Sequence, residues 1–279
     1  MNTDNFSFSR TARLTALYLS ENRRFLLLCA GTMLGASLII SLFSLLVFNY
    51  SADYYYTKYM DPAIEYMVIW YAIALFVFGC VGASMMFSDL RTRQGRIHLL
   101  MMPANSSEKF ISRGIIFVIL FPIIFYLCMC VGESLRCLIE SVIIGDNKNT
   151  APITPLYAIF WHREIMAYYI SETHPVLFTA MWVVGYFLVQ SFFVLGSVIW
   201  PKASFLKSTV VFTGLIFFFF GVTAWCAFEW GNDKYFDERT WLQQNIIYVF
   251  FWLECAACLY NWGMAWLRLR ETDVITTKR

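Results

Sequence analysis

Six long apolar runs, separated by polar and basic segments, dominate the chain. A helix needs about 20 mainly apolar residues to cross the hydrocarbon core of a bilayer. The first run extends over 25–48 and the second over 66–88, both without a charged residue. The third, 114–144, is uncharged from Gly114 to Gly132 and then continues through Glu133, Arg136 and Glu140. The fourth, 176–200, stops at Pro201; the fifth covers 208–228; the sixth, 244–267, is interrupted by one charge, Glu254. The runs are apolar around the whole helix, and the alternating ten-residue segments of a membrane barrel are absent. The pattern therefore predicts an all-α polytopic membrane protein with six transmembrane helices.

The segments between the runs set the direction of crossing, because cytoplasmic segments carry an excess of Lys and Arg. With the N-terminus inside, the inner segments hold 15 of the 21 basic residues and the outer segments 6. Both termini are expected in the cytoplasm and the chain in the cytoplasmic (inner) membrane. Residues 1–24 then form a cytoplasmic tail, 25–267 the transmembrane domain and 268–279 a second cytoplasmic tail. Aromatic residues at the outer boundaries (Tyr54, Tyr55, Tyr56, Trp161 and Trp230) fit an interfacial belt. In the N-terminal tail, Phe8, Leu14, Leu17 and Tyr18 are flanked by Arg10 and Arg13. This suits an amphipathic helix on the inner membrane surface; an ordinary tail is the alternative. The outer loop 145–175, rich in aromatics over 156–170, suits a helix on the outer surface, and the outer segment Glu229–Arg239 is short and mostly acidic.

The inner loop 89–113 is long for a connector and carries five basic residues around an apolar island, Ile97-His98-Leu99-Leu100-Met101-Met102. An apolar cluster in a cytoplasmic loop needs a cover: membrane, the rest of the chain, or a partner. After Pro103, Asn105 and Glu108 have the spacing of a capping box, so the third helix is expected to begin near Ser106.

Composition agrees with a membrane class. Hydrophobic residues make up 59% and charged residues 14%, against about 45–50% and about 25% in soluble domains. A net charge of +2 gives no reason to expect nucleic acid. The eight cysteines lie mostly in apolar runs, where they act as small hydrophobes, and the long loops have none to bridge. No short cleavable signal precedes the first run, which is too long for a signal-peptide core. His98, His162 and His174 are scattered and make no metal cluster. No phosphate loop and no G-x-S-x-G motif occurs.

Six spans, a basic N-terminal surface helix and the long inner loop between the second and third spans resemble the membrane subunit of an ABC-2-type exporter. The stretch from Leu99 to Arg113, LLMMPANSSEKFISR, resembles the LLLPAS..EKFLSR segment of many bacterial permease-like proteins, notably from Bacteroidetes. Asn105 stands where Ser is usual, which still allows capping. The resemblance covers the topology, with about fifteen closely matching residues. It implies that the loop couples to a separate cytoplasmic ABC ATPase, through Arg93, Arg96, Ile97, Leu99 and Leu100. It also implies a second permease subunit, identical or different, and membrane lipids as surroundings. ATP and Mg are expected on the ATPase, with no cofactor on this chain and no enzymatic activity of its own. A non-transporting accessory or sensor membrane protein is the other reading.

Three intramembrane features carry candidate chemistry. Glu254, at mid-depth, must face protein or water or be protonated; it is either part of a transport path or subunit contact, or a neutral structural carboxyl. Glu133 and Arg136, three apart on one helix face, form either a local ion pair or the lining of an outer vestibule. Cys255 and Cys258 make a C-x-x-C beside Glu254, but a redox role conflicts with their place near the bilayer centre and with the lack of a loop cysteine to shuttle electrons.

Overall fold

A computed structural model describes residues 6–49, 62–144, 175–231 and 241–277. Residues 145–174, with Trp161, His162 and His174, lie outside the described residues, as do Tyr54, Tyr55, Tyr56, the segment 232–240 and the side chains of Leu100 and Trp230. Among the described residues every regular element is helical. In chain order these are α1 (Phe8–Glu21), α2 (Arg23–Asn49), α3 (Pro62–Met85), α4 (Arg93–Met101), α5 (Ser106–Gly114), α6 (Phe121–Ile144), α7 (Pro175–Ile199), α8 (Ser204–Gly231) and α9 (Trp241–Thr277). A 3-10 turn, Ser88–Arg91, precedes α4, and a π-helical turn, Ile115–Leu120, joins α5 to α6.

Four described stretches are long and apolar enough to cross a membrane: Arg23–Leu46, Ser106–Ile139, Ala180–Ile199 and Ser204–Gly221. A shorter apolar stretch, Ile69–Met85, lies in α3. The surface of α8 shows what solvent these helices require. Val210, Ile216, Phe217, Phe218 and Phe220 are all exposed on one helix, an apolar surface that water does not tolerate and hydrocarbon does. The chain is a helical membrane protein.

Local chemistry explains the ends of the short helices. The Thr92 hydroxyl accepts the Gly95 backbone N–H at 3.0 Å and caps α4. Met102 turns extended, as the residue before a proline must, and α4 ends there. The Glu108 carboxylate accepts the Asn105 N–H at 3.2 Å, the acidic half of the expected capping box, and α5 begins at Ser106 as expected. The π-helical turn was not foreseen. Its cause is Pro122, which has no N–H for the carbonyl four residues back and crowds that carbonyl. The chain adds a residue to the turn instead, and the Phe121 N–H bonds the Ile116 carbonyl. At the other end of the chain, α9 continues to Thr277, where a tail was expected from 268. Hydropathy marks where the bilayer ends and does not stop a helix that meets no Gly or Pro there, as from Met264 to Thr277; an exposed Arg268–Glu271 pair at 3.0 Å supports the extra turns.

The described residues divide into two compact units. One comprises 7–49, 62–79, 111–144 and 175–179, and the other 6, 80–110, 180–231 and 241–277. In the first, α2 and α6 pack closely through small residues. Gly132 lies against Ser37 and Ser41 so tightly that an added Cβ would sit 3.0 Å from the Ser41 Oγ and 3.2 Å from the Ser37 carbonyl. The Ser37 hydroxyl lies 2.9 Å from the Cys128 carbonyl across the crossing. Membrane helices lack a hydrophobic drive to associate, so backbone approach and interhelical hydrogen bonds hold them. The N-terminal helix belongs to this unit: Tyr18 is buried, meets Phe117 edge-on at 6.0 Å and lies under the Arg113 guanidinium at 5.4 Å.

In the second unit, Phe193 meets Phe205 at 5.8 Å and Phe192 meets Phe212 at 5.5 Å, joining α7 to α8. Gly196 sits directly on Ser208 at the same seam. Phe110 of α5 lies between Phe87 at 5.8 Å and Trp262 of α9 at 5.5 Å. The Trp266 indole donates to the Ser107 hydroxyl at 3.2 Å.

Candidate functional site

Glu133 and Arg136 form the ion pair that their spacing allows, and burial changes its meaning. The Arg136 Nε donates to the Glu133 Oε2 at 3.1 Å, with the two residues 4% and 2% exposed. A charge in this environment has to be shared among neighbours. The Tyr71 hydroxyl of α3 donates to the Glu133 Oε1 at 3.3 Å and meets the Ser41 hydroxyl of α2 at 2.7 Å. Three helices therefore converge on one carboxylate. Tyr71 and Ser41 are both buried and were not visible as site residues in the sequence. A Tyr in an apolar run reads as packing, and nothing local links it to a carboxylate 62 residues away.

The segment 89–113 is a built structure. Arg93, Arg96 and Ile97 lie on the exposed side of α4, with Ile97 48% and Met101 78% exposed. Leu99 does not join them. It is 1% exposed, so it anchors α4 within the chain and is not available to a partner; the island is apolar on two faces of a short helix, which a linear reading merges. Leu100, grouped with these residues from sequence, has its side chain outside the described residues.

The EKFISR segment after it is almost wholly buried. Glu108, Lys109, Ser112 and Arg113 are each among the buried residues, and Phe110 is too. The helix α5 that they form thus combines a full charge complement with an interior position, and burial of this kind requires partners at every charged group.

Glu254 belongs to the second unit, and Glu133 and Arg136 to the first. It is partly buried, and its Oε2 is shielded without a hydrogen-bond partner among the described residues. Its helical neighbours at four and seven residues on are Cys258 and Asn261. The Asn261 amide donates to the Ser191 hydroxyl of α7 at 3.0 Å. Beside Ser191, Gln190 is buried, donates to the Tyr186 hydroxyl at 2.7 Å, and leaves its Oε1 unpaired among the described residues. A polar stripe thus runs along apolar α9 where sequence showed one carboxyl. Cys255 and Cys258 are free thiols. Among the described residues no three His, Cys, Asp or Glu side chains come together as metal ligands.

The chain matches no protein-family model, and neither curated proteins nor solved structures give a match to it.

Proposed function

We propose that this chain is the membrane-spanning permease subunit of an ABC-type exporter, with six spans, both ends in the cytoplasm, in the inner membrane. The observation that carries the reading is α4, a capped helix between two apolar helices that offers Arg93, Arg96, Ile97 and Met101 outward while Leu99 holds it from behind. A connector needs no such face. A docking helix does, with apolar anchors at the centre and cations at the rim. The partner is a separate cytoplasmic ATPase that holds ATP and Mg, since this chain has no phosphate loop. A second permease subunit completes the transporter.

In this mechanism, closure of the ATPase pushes on α4. Leu99 transmits the push into the helix's own unit, and α5 carries it to α9 through Phe110–Trp262 and Ser107–Trp266. Glu254 and the polar stripe of α9 serve the path that opens. Glu133 and Arg136 hold α3 and α6 together while it does so.

The test is to purify the tagged chain from its own membranes in mild detergent and identify what accompanies it. An ABC ATPase should co-purify with the wild type and be lost with Ile97→Asp combined with Met101→Asp, both outward-facing changes that leave insertion intact. Arg93→Ala should weaken retention much less. Full retention and full ATPase coupling in the double variant would remove α4 as the docking element. Glu254→Gln should insert normally and slow export; wild-type transport would return Glu254 to a structural carboxyl.

A further inference from the structure

Between the end of α7 and the start of α8 the second unit holds a cleft of about 270 Å³. Four cationic side chains line it: Arg91 of the 3-10 turn, Arg96 of α4, Lys202 of the α7–α8 connection and Lys207 of the first turn of α8. No carboxylate pairs with any of the four among the described residues. The connection is held in one shape. The Arg91 Nε donates to the Pro201 carbonyl at 3.3 Å. Ala203 takes a left-handed φ of 56°, which an L-residue adopts only when its surroundings impose it, and its carbonyl accepts the Lys207 N–H at 3.1 Å to open α8.

Four like charges drawn to one concavity repel one another, and the cost falls when an anion enters. Guanidinium forks and ammonium groups together suit a phosphate group. The other wall of the cleft is apolar: Leu90 is buried, and Ile199 and Trp200 end the α7 span. Ile199 is exposed, as are Phe205 and Leu206 on the first turn of α8. Cations therefore stand at the junction of two apolar helices, where a lipid presents its phosphate to the polar side and its glycerol and acyl chains to the apolar side. A free phosphate ion would use only half of this surface. We infer that the cleft of Arg91, Arg96, Lys202 and Lys207 is a binding site for the phosphate group of an anionic phospholipid. Basic pockets between membrane helices on the cytoplasmic side are chemically suited to such headgroups. The inference rests on the membrane fold and on the inner placement that the Lys and Arg distribution predicts for these segments, and not on the exporter reading. Arg96 serves both, but lipid retention and ATPase retention are separate readouts.

The full chain, purified in detergent, is offered phosphatidylglycerol, phosphatidylcholine or inorganic phosphate, with retained lipid read by native mass spectrometry and stability by thermal unfolding. Wild type should retain phosphatidylglycerol about tenfold over phosphatidylcholine, the equivalent of about 1.4 kcal/mol. Lys202→Gln with Lys207→Gln should abolish the preference, and Arg13→Gln, an exposed cation that does not line the cleft, should leave it intact. If the double variant fails to fold, Arg96→Gln alone should reduce the preference several-fold. Equal retention of the two lipids by wild type overturns the site. So does an unchanged preference in the double variant, or in Arg96→Gln where that variant decides. An equal loss in Arg13→Gln reduces it to general surface charge. Inorganic phosphate that raises the melting temperature as much as phosphatidylglycerol makes it an ion site and overturns the lipid assignment.

Discussion

Arg136 shows how far a single position can be read. Its spacing from Glu133 announces an ion pair, and the pair is there at 3.1 Å; its burial, and the Tyr71 and Ser41 hydroxyls that complete it, come from other helices and leave no local trace. The energetic ranking follows from that geometry. Removing one member of a buried ion pair strands the other charge and costs about 3–5 kcal/mol, whereas a hydrogen bond inside a membrane protein averages about 0.6 kcal/mol. Arg136→Met should therefore lower the melting temperature in detergent far more than Tyr71→Phe. Adding Glu133→Gln to Arg136→Met should recover much of the loss, because no bare charge remains. A Tyr71→Phe loss as large as that of Arg136→Met would mean that the hydroxyl, and not the guanidinium, holds the carboxylate. Ala203 gives a second case. A left-handed conformation costs an L-residue about 1–2 kcal/mol that glycine escapes, so Ala203→Gly should raise the melting temperature and Ala203→Val should lower it. Nothing in the run Trp200–Pro201–Lys202–Ala203 marks the alanine as the strained residue.

Elements were the most legible scale, because membrane helices are long, apolar and unable to hide. The start of α5 was readable from Asn105 and Glu108, residues whose side chains act on the backbone directly, whereas the Thr92 cap of α4 went unread. What hydropathy blurs is the difference between a helix and its span, as the continuation of α9 to Thr277 shows. It also hides which face of a run meets another helix. The α2–α6 crossing depends on Gly132 opposite Ser37 and Ser41, and neither a glycine nor a serine stands out in an apolar run. The crossing makes a sharp expectation. Gly132→Val adds bulk where even one Cβ is at 3.0 Å from the Ser41 Oγ, and overpacking of this kind costs about 1–3 kcal/mol. The variant should insert but unfold at a lower temperature, and Ser41→Gly in the same chain should restore part of the loss by making room. Wild-type melting for Gly132→Val alone would show that α2 and α6 can separate at no cost.

At the scale of the molecule, the division into two units runs through α3 between Gly79 and Cys80, through α5 between Phe110 and Ile111 and through α7 between Thr179 and Ala180. No compositional break marks these points, since all three lie inside helices, and sequence reading looks for boundaries in polar linkers. Direction is a different kind of property: it is written in the loops as charge, and helix packing does not report it. An even number of spans returns the chain to its starting side, and six spans with the observed Lys and Arg distribution put both ends inside. Should α3 or α9 fail to cross, the count becomes odd and the ends part company. Single cysteines introduced at Ser9, Lys148 and Lys278 decide between these arrangements when intact cells are treated with a membrane-impermeant thiol reagent and compared with wild type, whose own cysteines set the background. Six spans require Lys148→Cys to gain a label from outside, and Ser9→Cys and Lys278→Cys to gain one only after the membrane is opened. Labelling of Ser9→Cys and Lys278→Cys from opposite sides would leave an odd number of spans. Labelling of all three from one side would take the 145–175 loop off the outer face and leave four spans, with neither α3 nor α9 crossing, the number of described stretches that are long and apolar enough to do so.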